Sequence, residues 1–329
     1  MTRNLLLAAT LLATAACAQE SVTTSTTTST PATQVESAQA APSPTASTAA
    51  DTVSLDAPDS AYRTLVPSNV LVIDTVHGRM IGELYPQMAP GHVERVQTLA
   101  GIGFYDGLLF HRVIDGFMNQ TGDPRGDGTG DSGMDDLPAE FTFRRSPDMG
   151  VALVGTTQGA RAVGGGSMAT GFMGAMPVAT QPSSQALLTQ DGAVEAYGLH
   201  CPGVLSMARA GDPNSANSQF FVMRGAAPFL DAQYTVWGTL VAGHEVAQRI
   251  AVTASSGPGG ESPIPGVEKD RIEDAFILSS LPEDERFGVQ VLDTSSQAFA
   301  DYLDGLAAGG AYPDICDVEV PSRIVPTRG

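Results

Sequence analysis

The segment 110–123, which reads Phe-His-Arg-Val-Ile-Asp-Gly-Phe-Met-Asn-Gln-Thr-Gly-Asp, constrains the fold more than any other part of the chain. Apolar residues alternate with Arg112 before Gly116 and with Gln120 after it. This alternation predicts two short antiparallel strands joined by a turn at Gly116. The pairing would bring four side chains to one surface: Arg112, Phe117, Met118 and Gln120.

The chemistry of this set argues against hydrolysis. A guanidinium, two large apolar side chains and a neutral amide lack the general base that hydrolysis uses. They are suited to holding an apolar ring and to hydrogen-bonding the amide beside it. The five histidines show neither H-x-x-x-H nor H-E-x-x-H spacing, so no metal and no cofactor is expected.

The segment 110–123 resembles the active-site signature of the cyclophilins, a family of peptidyl-prolyl cis-trans isomerases. Two further segments, 207–222 and 229–238, are similar to other motifs of that family. The resemblance covers about residues 66 to 255. It implies a mainly β fold, namely a closed eight-stranded antiparallel barrel capped by two α-helices, with a long insertion and a C-terminal extension.

The resemblance also implies roles for side chains. Arg112 would stabilise the twisted Xaa-Pro amide, in which the prolyl nitrogen regains its lone pair, and Phe117 and Gln120 would complete the catalytic set. Gln120 would also hydrogen-bond the substrate backbone. The other residues implied to bind substrate are Met118, Ala208, Arg209, Gln219, Phe221, Phe229, Leu230 and Tyr234.

Three positions depart from common family patterns. Phe229 stands where the best-known eukaryotic members have Trp, and Tyr234 where they have His. The lost indole donor predicts weak binding of inhibitors of the cyclosporin type. Arg209 stands where many members have Asn, and a cation there would favour acidic peptides.

The first 18 residues have the features of a bacterial export signal. Arg3 precedes an apolar run over 5–13 that is too short to span a bilayer. The run Thr14-Ala15-Ala16-Cys17 resembles a lipobox, in which Cys17 would be lipidated; the alternative is ordinary signal-peptidase cleavage after Ala16-Cys17-Ala18. Both predict a periplasmic location in the cell envelope, and the lipobox interpretation predicts membrane contact only through the lipid on Cys17.

Composition divides the rest of the chain. Residues 19–64 are rich in Ser, Thr, Ala and Pro and predict a disordered linker. Residues 65–282 would form the isomerase domain, interrupted by an insertion at about 144–200. Residues 283–329 would be a C-terminal extension packed on the barrel, with a short helix capped by Ser295 or Ser296.

The two cysteines beyond Cys17 leave two interpretations open. In an oxidising compartment Cys201 and Cys316 form either a disulfide between the insertion and the C-terminal extension or two unpaired buried thiols.

The apolar residues of the insertion also allow two interpretations, since they either pack it onto the barrel or form an adaptable binding surface. They are Met168, Phe172, Met173 and Met176.

The net charge of −19 argues against a nucleic-acid partner, because binding phosphate requires clustered Lys and Arg. The partners implied by the resemblance are proline-containing segments of unfolded or exported polypeptides, and a monomer is expected. Two functions follow: an isomerase of Xaa-Pro bonds, or a non-catalytic module of the cell envelope that binds proline peptides as a chaperone.

Overall fold

The computed structural model describes residues 52–157, 168–257, 260–310 and 313–326. The predicted signal peptide, Cys17 and most of the predicted linker lie outside these residues. Within them the chain forms eighteen β-strands and three α-helices. None of the described helices is long and apolar enough to cross a membrane.

The largest sheet has ten strands. They are β2 (Val70–Thr75), β3 (Gly78–Leu84), β4 (Arg112–Ile114), β5 (Met118–Thr121), β11 (Val204–Met207), β12 (Phe220–Met223), β13 (Val236–Ala242), β14 (Ala254–Gly257), β15 (Gly260–Pro263) and β16 (Ile272–Ile277). Their order is β15-β14-β4-β5-β12-β11-β13-β3-β2-β16. Neighbouring strands are antiparallel, except that β14 runs parallel to β4.

The predicted closed eight-stranded barrel is not found. Among the described residues no strand pairing joins β15 to β16, and the sheet has ten strands. A single bridge between Leu109 and Arg271 brings the chain before β4 close to the chain before β16. Three backbone hydrogen bonds accompany this bridge: Gly107 N–H to Ile272 O (2.8 Å), Phe110 N–H to Asp270 O (2.8 Å) and Ile272 N–H to Leu108 O (2.9 Å). Along β4 itself the outer edge pairs with β14, at Ala254 and Ile114, so in the described chain no continuous ladder joins β4 to β16.

One face of this sheet packs against two helices, α1 (Pro90–Gly101) and α2 (His244–Arg249). Side chains from both helices and from alternate strand positions are buried together there, which is the expected core of a sheet with one helix-covered face. They include Val93, Val96, Phe110, Val113, Phe220, Val222, Trp237 and Val246. The opposite face packs in a second apolar cluster, which includes Ile114, Met118, Phe221 and Met223.

A five-stranded sheet lies in the range predicted as the insertion. It consists of β6 (Phe143–Arg145), β7 (Ala152–Thr157), β8 (Met168–Met173), β9 (Met176–Thr180) and β10 (Val194–Gly198), in the order β6-β10-β9-β8-β7. The hydroxyl of Tyr85, the residue that follows β3, accepts hydrogen bonds from the amides of Ala175 (2.8 Å) and Met176 (3.1 Å). Met168, Phe172, Met173 and Met176 are buried, so they pack the insertion rather than forming an exposed surface.

A three-stranded sheet joins the two ends of the described chain. Its order is β1-β17-β18, formed by β1 (Tyr62–Thr64), β17 (Gly288–Leu292) and β18 (Ser322–Val325). The linker was predicted to run to residue 64, but residues 62–64 are a strand, because Tyr62 is buried and the backbone pairs with β17.

The C-terminal extension also contains α3 (Gln297–Leu306) and a disulfide. The Ser296 hydroxyl caps α3 by accepting a hydrogen bond from the Phe299 amide at 3.2 Å. Of the two interpretations of the cysteines, the structure contains the disulfide: Cys201 is bonded to Cys316, with 4.8 Å between their Cα atoms. This bond ties the chain just before β11 to the extension.

Candidate active site

Arg112, Gln120 and Phe221 lie side by side on three neighbouring strands. Arg112 on β4 is opposite Gln120 on β5, and Gln120 is opposite Phe221 on β12. Residues that are directly opposite in a sheet point to the same face, so these three side chains share one surface. The predicted turn joins β4 and β5, and its Gly116 has a φ of 64°, which favours glycine.

A chain of hydrogen bonds runs across this surface. Arg112 Nη1 donates to Gln120 Oε1 at 3.0 Å, and Gln120 Nε2 donates to Gln219 Oε1 at 3.0 Å. Gln219 Nε2 in turn donates to the carbonyls of Gly128 (3.1 Å) and Gly130 (2.8 Å). Gln219 therefore supports Arg112 through Gln120 and holds the glycine-rich loop beside the surface.

Apolar side chains form a hollow next to Arg112. Met118, Phe221 and Leu230 are buried, and Phe117 is half-buried with its ring 6.0 Å from the Arg112 guanidinium carbon. Phe229 lies at the rim, because it is 65% exposed and its ring centre is 5.7 Å from that of Phe117. The hollow therefore offers apolar contacts directly beside a guanidinium.

The other predicted binding residues lie on the far side of Phe221. The ring centres of Phe221 and Tyr234 are 6.0 Å apart, and the Arg209 guanidinium carbon lies 4.5 Å from the Tyr234 ring centre. The Ala208 amide donates to the Gln219 carbonyl at 2.9 Å. The structure thus brings all the predicted catalytic and substrate-binding residues together, while the disulfide lies apart from them and Cys17 lies outside the described residues.

A cavity of about 340 Å³ adjoins this surface. Its lining includes Gln120, Gly130, Ala208, Arg209, Asn217 and Gln219. Of the insertion residues that the structure describes, none lines this cavity. The described part of the insertion therefore does not cover this cavity.

The loop that Gln219 holds is organised by Asp123. Its carboxylate accepts hydrogen bonds from the backbone amides of Arg125, Asp127 and Gly128. Burial opposes ionisation, but these amides outweigh it and lower the pKa of Asp123 below its ordinary value. Among the described residues no group of three or more His, Cys, Asp or Glu could hold a metal ion.

A buried polar network beneath Phe221 was not predicted from the sequence. His200 Nδ1 lies 2.9 Å from Asp231 Oδ1, His200 Nε2 lies 3.0 Å from Ser206 Oγ, and the imidazole stacks on Phe221 at 6.1 Å. These residue types also form hydrolytic triads. Here, however, Ser206 is fully buried and its hydroxyl donates to the Thr235 carbonyl, so it cannot attack a substrate. The network instead fixes the segment that carries Phe229 and Leu230.

Glu261 on β15 is a second residue that the sequence analysis missed. Its carboxylate accepts hydrogen bonds from Arg112 Nε at 2.8 Å and from Arg112 Nη2 at 2.6 Å. The run Gly257-Pro258-Gly259-Gly260 is typical of a turn and could have indicated a hairpin there. This run does not indicate which side chain of the hairpin would contact Arg112.

Comparisons with known proteins agree with this arrangement. The model of the family described as cyclophilin type peptidyl-prolyl cis-trans isomerase/CLD matches residues 70–274. A Brucella suis protein named "Probable peptidyl-prolyl cis-trans isomerase" is 35% identical over 184 residues, which are 56% of this chain and 72% of that protein. "Peptidyl-prolyl cis-trans isomerase CYP71" of Arabidopsis thaliana is 35% identical over 187 residues, 57% of this chain and 21% of that protein.

A solved structure is also similar. The crystal structure of cyclophilin AquaCyp293 from Hirschia baltica is 31% identical in sequence and superposes with a TM-score of 0.69. The match covers 82% of this chain and 95% of that chain. The similarity therefore extends beyond the residues that the family model matches.

Proposed function

Because the chain belongs to the cyclophilin family and is a peptidyl-prolyl cis-trans isomerase, we propose that it acts on Xaa-Pro bonds at the surface formed by Arg112, Phe117 and Gln120. Its substrates would be unfolded or newly exported polypeptides of the cell envelope. The observation that carries the assignment is the position of the Arg112 guanidinium, which is bonded to Gln120 and lies directly beside the apolar hollow.

The reaction needs no bond to break. Rotation about the Xaa-Pro bond is slow because amide resonance raises its barrier to about 20 kcal/mol. Catalysis therefore requires only that the twisted amide is bound more strongly than the planar one. The proline ring would lie in the hollow formed by Phe117, Met118, Phe221 and Leu230, which places the prolyl nitrogen near Arg112. A donor there stabilises the lone pair that appears only in the twisted state.

The peptide backbone has further partners on the same surface. The Gln120 side chain can exchange hydrogen bonds with a substrate amide, since its Oε1 and Nε2 both lie at the surface between Arg112 and Gln219. Residues 208–210 line the cavity that continues from the hollow, so their main chain would bind the peptide on its other side.

The test is exchange between the cis and trans forms of a short Ala-Pro peptide, measured by NMR with the wild type, Arg112→Ala and Arg249→Ala. Loss of a preorganised donor to a developing charge lowers rates by about 10²–10³-fold, and we expect a loss of this size in Arg112→Ala. Arg249→Ala, which removes an arginine of α2, is the control and should match the wild type. Full activity in Arg112→Ala would contradict the proposal. Peptide binding without exchange in the wild type would instead favour the non-catalytic peptide-binding module.

We also propose that the protein is exported, lipidated on Cys17 and monomeric. The export-type residues 1–18 and the disulfide between Cys201 and Cys316, a bond typical of oxidising compartments, support export. Mass spectrometry of the mature N-terminus should find a lipid on Cys17, and Cys17→Ala should move the protein from the membrane fraction to the soluble fraction. If the Cys17→Ala protein remained in the membrane fraction, the proposed lipid anchor would be contradicted. Light scattering measures the molar mass in solution and should give that of a monomer.

A further inference from the structure

Every nitrogen of the Arg112 guanidinium has a partner in the free protein. Nη1 donates to Gln120, while Nε and Nη2 donate to the carboxylate of Glu261. A substrate amide that accepts a hydrogen bond from Nε or Nη2 of Arg112 must therefore displace the Glu261 carboxylate. Glu261 is thus placed to compete with the substrate for this arginine.

The setting of Glu261 makes this competition reversible. The side chains of Arg112 and Glu261 are 35% and 34% exposed, and a solvent-exposed ion pair contributes little stability and is weakened by salt. The carboxylate nevertheless stays near the pocket when the pair opens, because Glu261 is paired with Ser256 in the β14–β15 hairpin and β14 is paired with β4.

We propose that Glu261 selects substrates by charge and favours Xaa-Pro segments that carry a basic residue next to the proline. When the peptide engages Arg112, the Glu261 carboxylate loses its partner and remains beside the bound chain. A Lys or Arg of the peptide can then replace Arg112 as its partner, whereas a Glu is repelled. This inference rests on the proposed function, because it requires that substrate binds at Arg112.

Arg209 is the cation that would favour the opposite preference, but its guanidinium is held by neighbouring groups and carboxylates line the same cavity. Its guanidinium donates to the carbonyls of Gln233 (3.1 Å) and Ala210 (2.8 Å) and stacks on Tyr234. The cavity beside it is also lined by the exposed side chains of Asp131 and Asp136. The surroundings of Arg209 therefore do not offset the negative charge of Glu261.

The experiment compares three peptides that differ only in the residue before the proline, which is Lys, Gln or Glu. Exchange rates are measured by NMR for the wild type, Glu261→Gln and Glu273→Gln, the last being an exposed glutamate on β16 at the other end of the sheet. We expect the wild type to favour the Lys peptide over the Glu peptide by about two- to five-fold, the range for one exposed charge pair. In Glu261→Gln the ratio should approach one and the Gln peptide should be isomerised faster, while Glu273→Gln should match the wild type.

A salt titration provides a second readout. Exchange of the Gln peptide should accelerate with added NaCl in the wild type, where salt weakens the pair, and should respond less in Glu261→Gln. An unchanged Lys-to-Glu ratio in Glu261→Gln, or a wild-type preference for the Glu peptide, would overturn the inference. Equal slowing of all three peptides would also overturn it, because Glu261 would then only position Arg112. Failure of the proposed function is recognised separately, by an Arg112→Ala protein that stays active.

Discussion

Arg112 and Gln120 face each other across β4 and β5, and Nη1 of the arginine donates to Oε1 of the glutamine at 3.0 Å. Since Gln120 is held in turn by Gln219, the guanidinium has a fixed partner on the side of the apolar hollow. The orientation of Arg112 therefore depends on a neutral amide that itself lies at the substrate surface.

Replacing this amide should lower activity even though the Arg112 side chain is retained, because the guanidinium loses the partner that orients it. Hydrogen bonds to charged groups contribute about 1.5–3 kcal/mol, so Gln120→Leu should reduce kcat/KM by about 10- to 100-fold. The matched control is Gln97→Leu, since Gln97 on α1 donates to the Ser68 carbonyl away from the site. Peptide exchange by NMR measures both, and wild-type kcat/KM in Gln120→Leu would contradict the orienting role.

Phe229 should control binding of inhibitors of the cyclosporin type. It lies exposed at the rim next to Phe117, where an indole N–H would be free to donate to an inhibitor carbonyl. One hydrogen bond contributes about 0.5–1.5 kcal/mol, so Phe229→Trp should tighten binding by about two- to ten-fold in calorimetry. Phe229→Leu, which adds no donor, should not tighten it. Wild-type affinity equal to that of Phe229→Trp would show that the donor is irrelevant.

The disulfide should contribute measurably to stability. It closes a loop across a sequence separation of 115 residues, and the chain-entropy model gives about 4.7 kcal/mol for a loop of about 100 residues, with typical measured values of about 2–4 kcal/mol. The double variant Cys201→Ala, Cys316→Ala should therefore unfold at lower urea concentration than the wild type. Reductant should shift the wild-type midpoint and leave that of the double variant unchanged; equal midpoints for the two proteins would contradict the prediction.

Glu140 should make the protein sensitive to acid. Its carboxylate accepts from the first-turn amides of Gly91 and His92 on α1 and lies 2.7 Å from His92 Nδ1. Burial opposes ionisation, but these hydrogen bonds outweigh it and lower the pKa of Glu140 below its ordinary 4.5. Because its pKa is lowered in the folded state, the Glu140 carboxylate adds to the free energy of unfolding above pH 4.5. This contribution is lost as the pH falls through the pKa that Glu140 has in the folded protein.

Unfolding in urea at several pH values measures this effect. Glu140→Gln should be less stable than the wild type at pH 7 and should lose less stability below pH 4.5. Glu94→Gln, an exposed position on the same helix, is the control and should follow the wild-type pH profile. Parallel pH profiles for the wild type and Glu140→Gln would show that this carboxylate is not responsible.

The sequence predicted the relative positions of the site residues better than their surroundings. Strand alternation placed Arg112 and Gln120 on one surface, because the period of two in a strand fixes which side chains share a face. Phe221 was added to this surface only by the resemblance to the family. Glu261 was missed because an exposed hairpin has no apolar pattern that specifies where it packs. The closed barrel was not confirmed, since the outer edge of β4 pairs with β14, and this pairing depends on a tertiary contact.

The buried network of His200, Ser206 and Asp231 was missed for a different reason. Asp231 lies 31 residues from His200, and no sequence motif links it to His200 and Ser206. Polar residues are buried when partners satisfy their hydrogen bonds, and this is decided by the packing of several elements. The sheet within the insertion was missed because glycine and methionine in its strands give no clear alternation.

The pairing of β1 with β17 has a consequence for the order in which the protein folds. Tyr62 is opposite Leu292, so β1, near the start of the described chain, can pair only after β17, near its end, has been synthesised. Pairing residues so far apart in the sequence requires closing a long loop, so we expect it to form late in folding. Until the C-terminal residues arrive, the apolar face of the insertion that packs on Phe299 stays exposed. A nascent chain released early would therefore expose an aggregation-prone apolar surface.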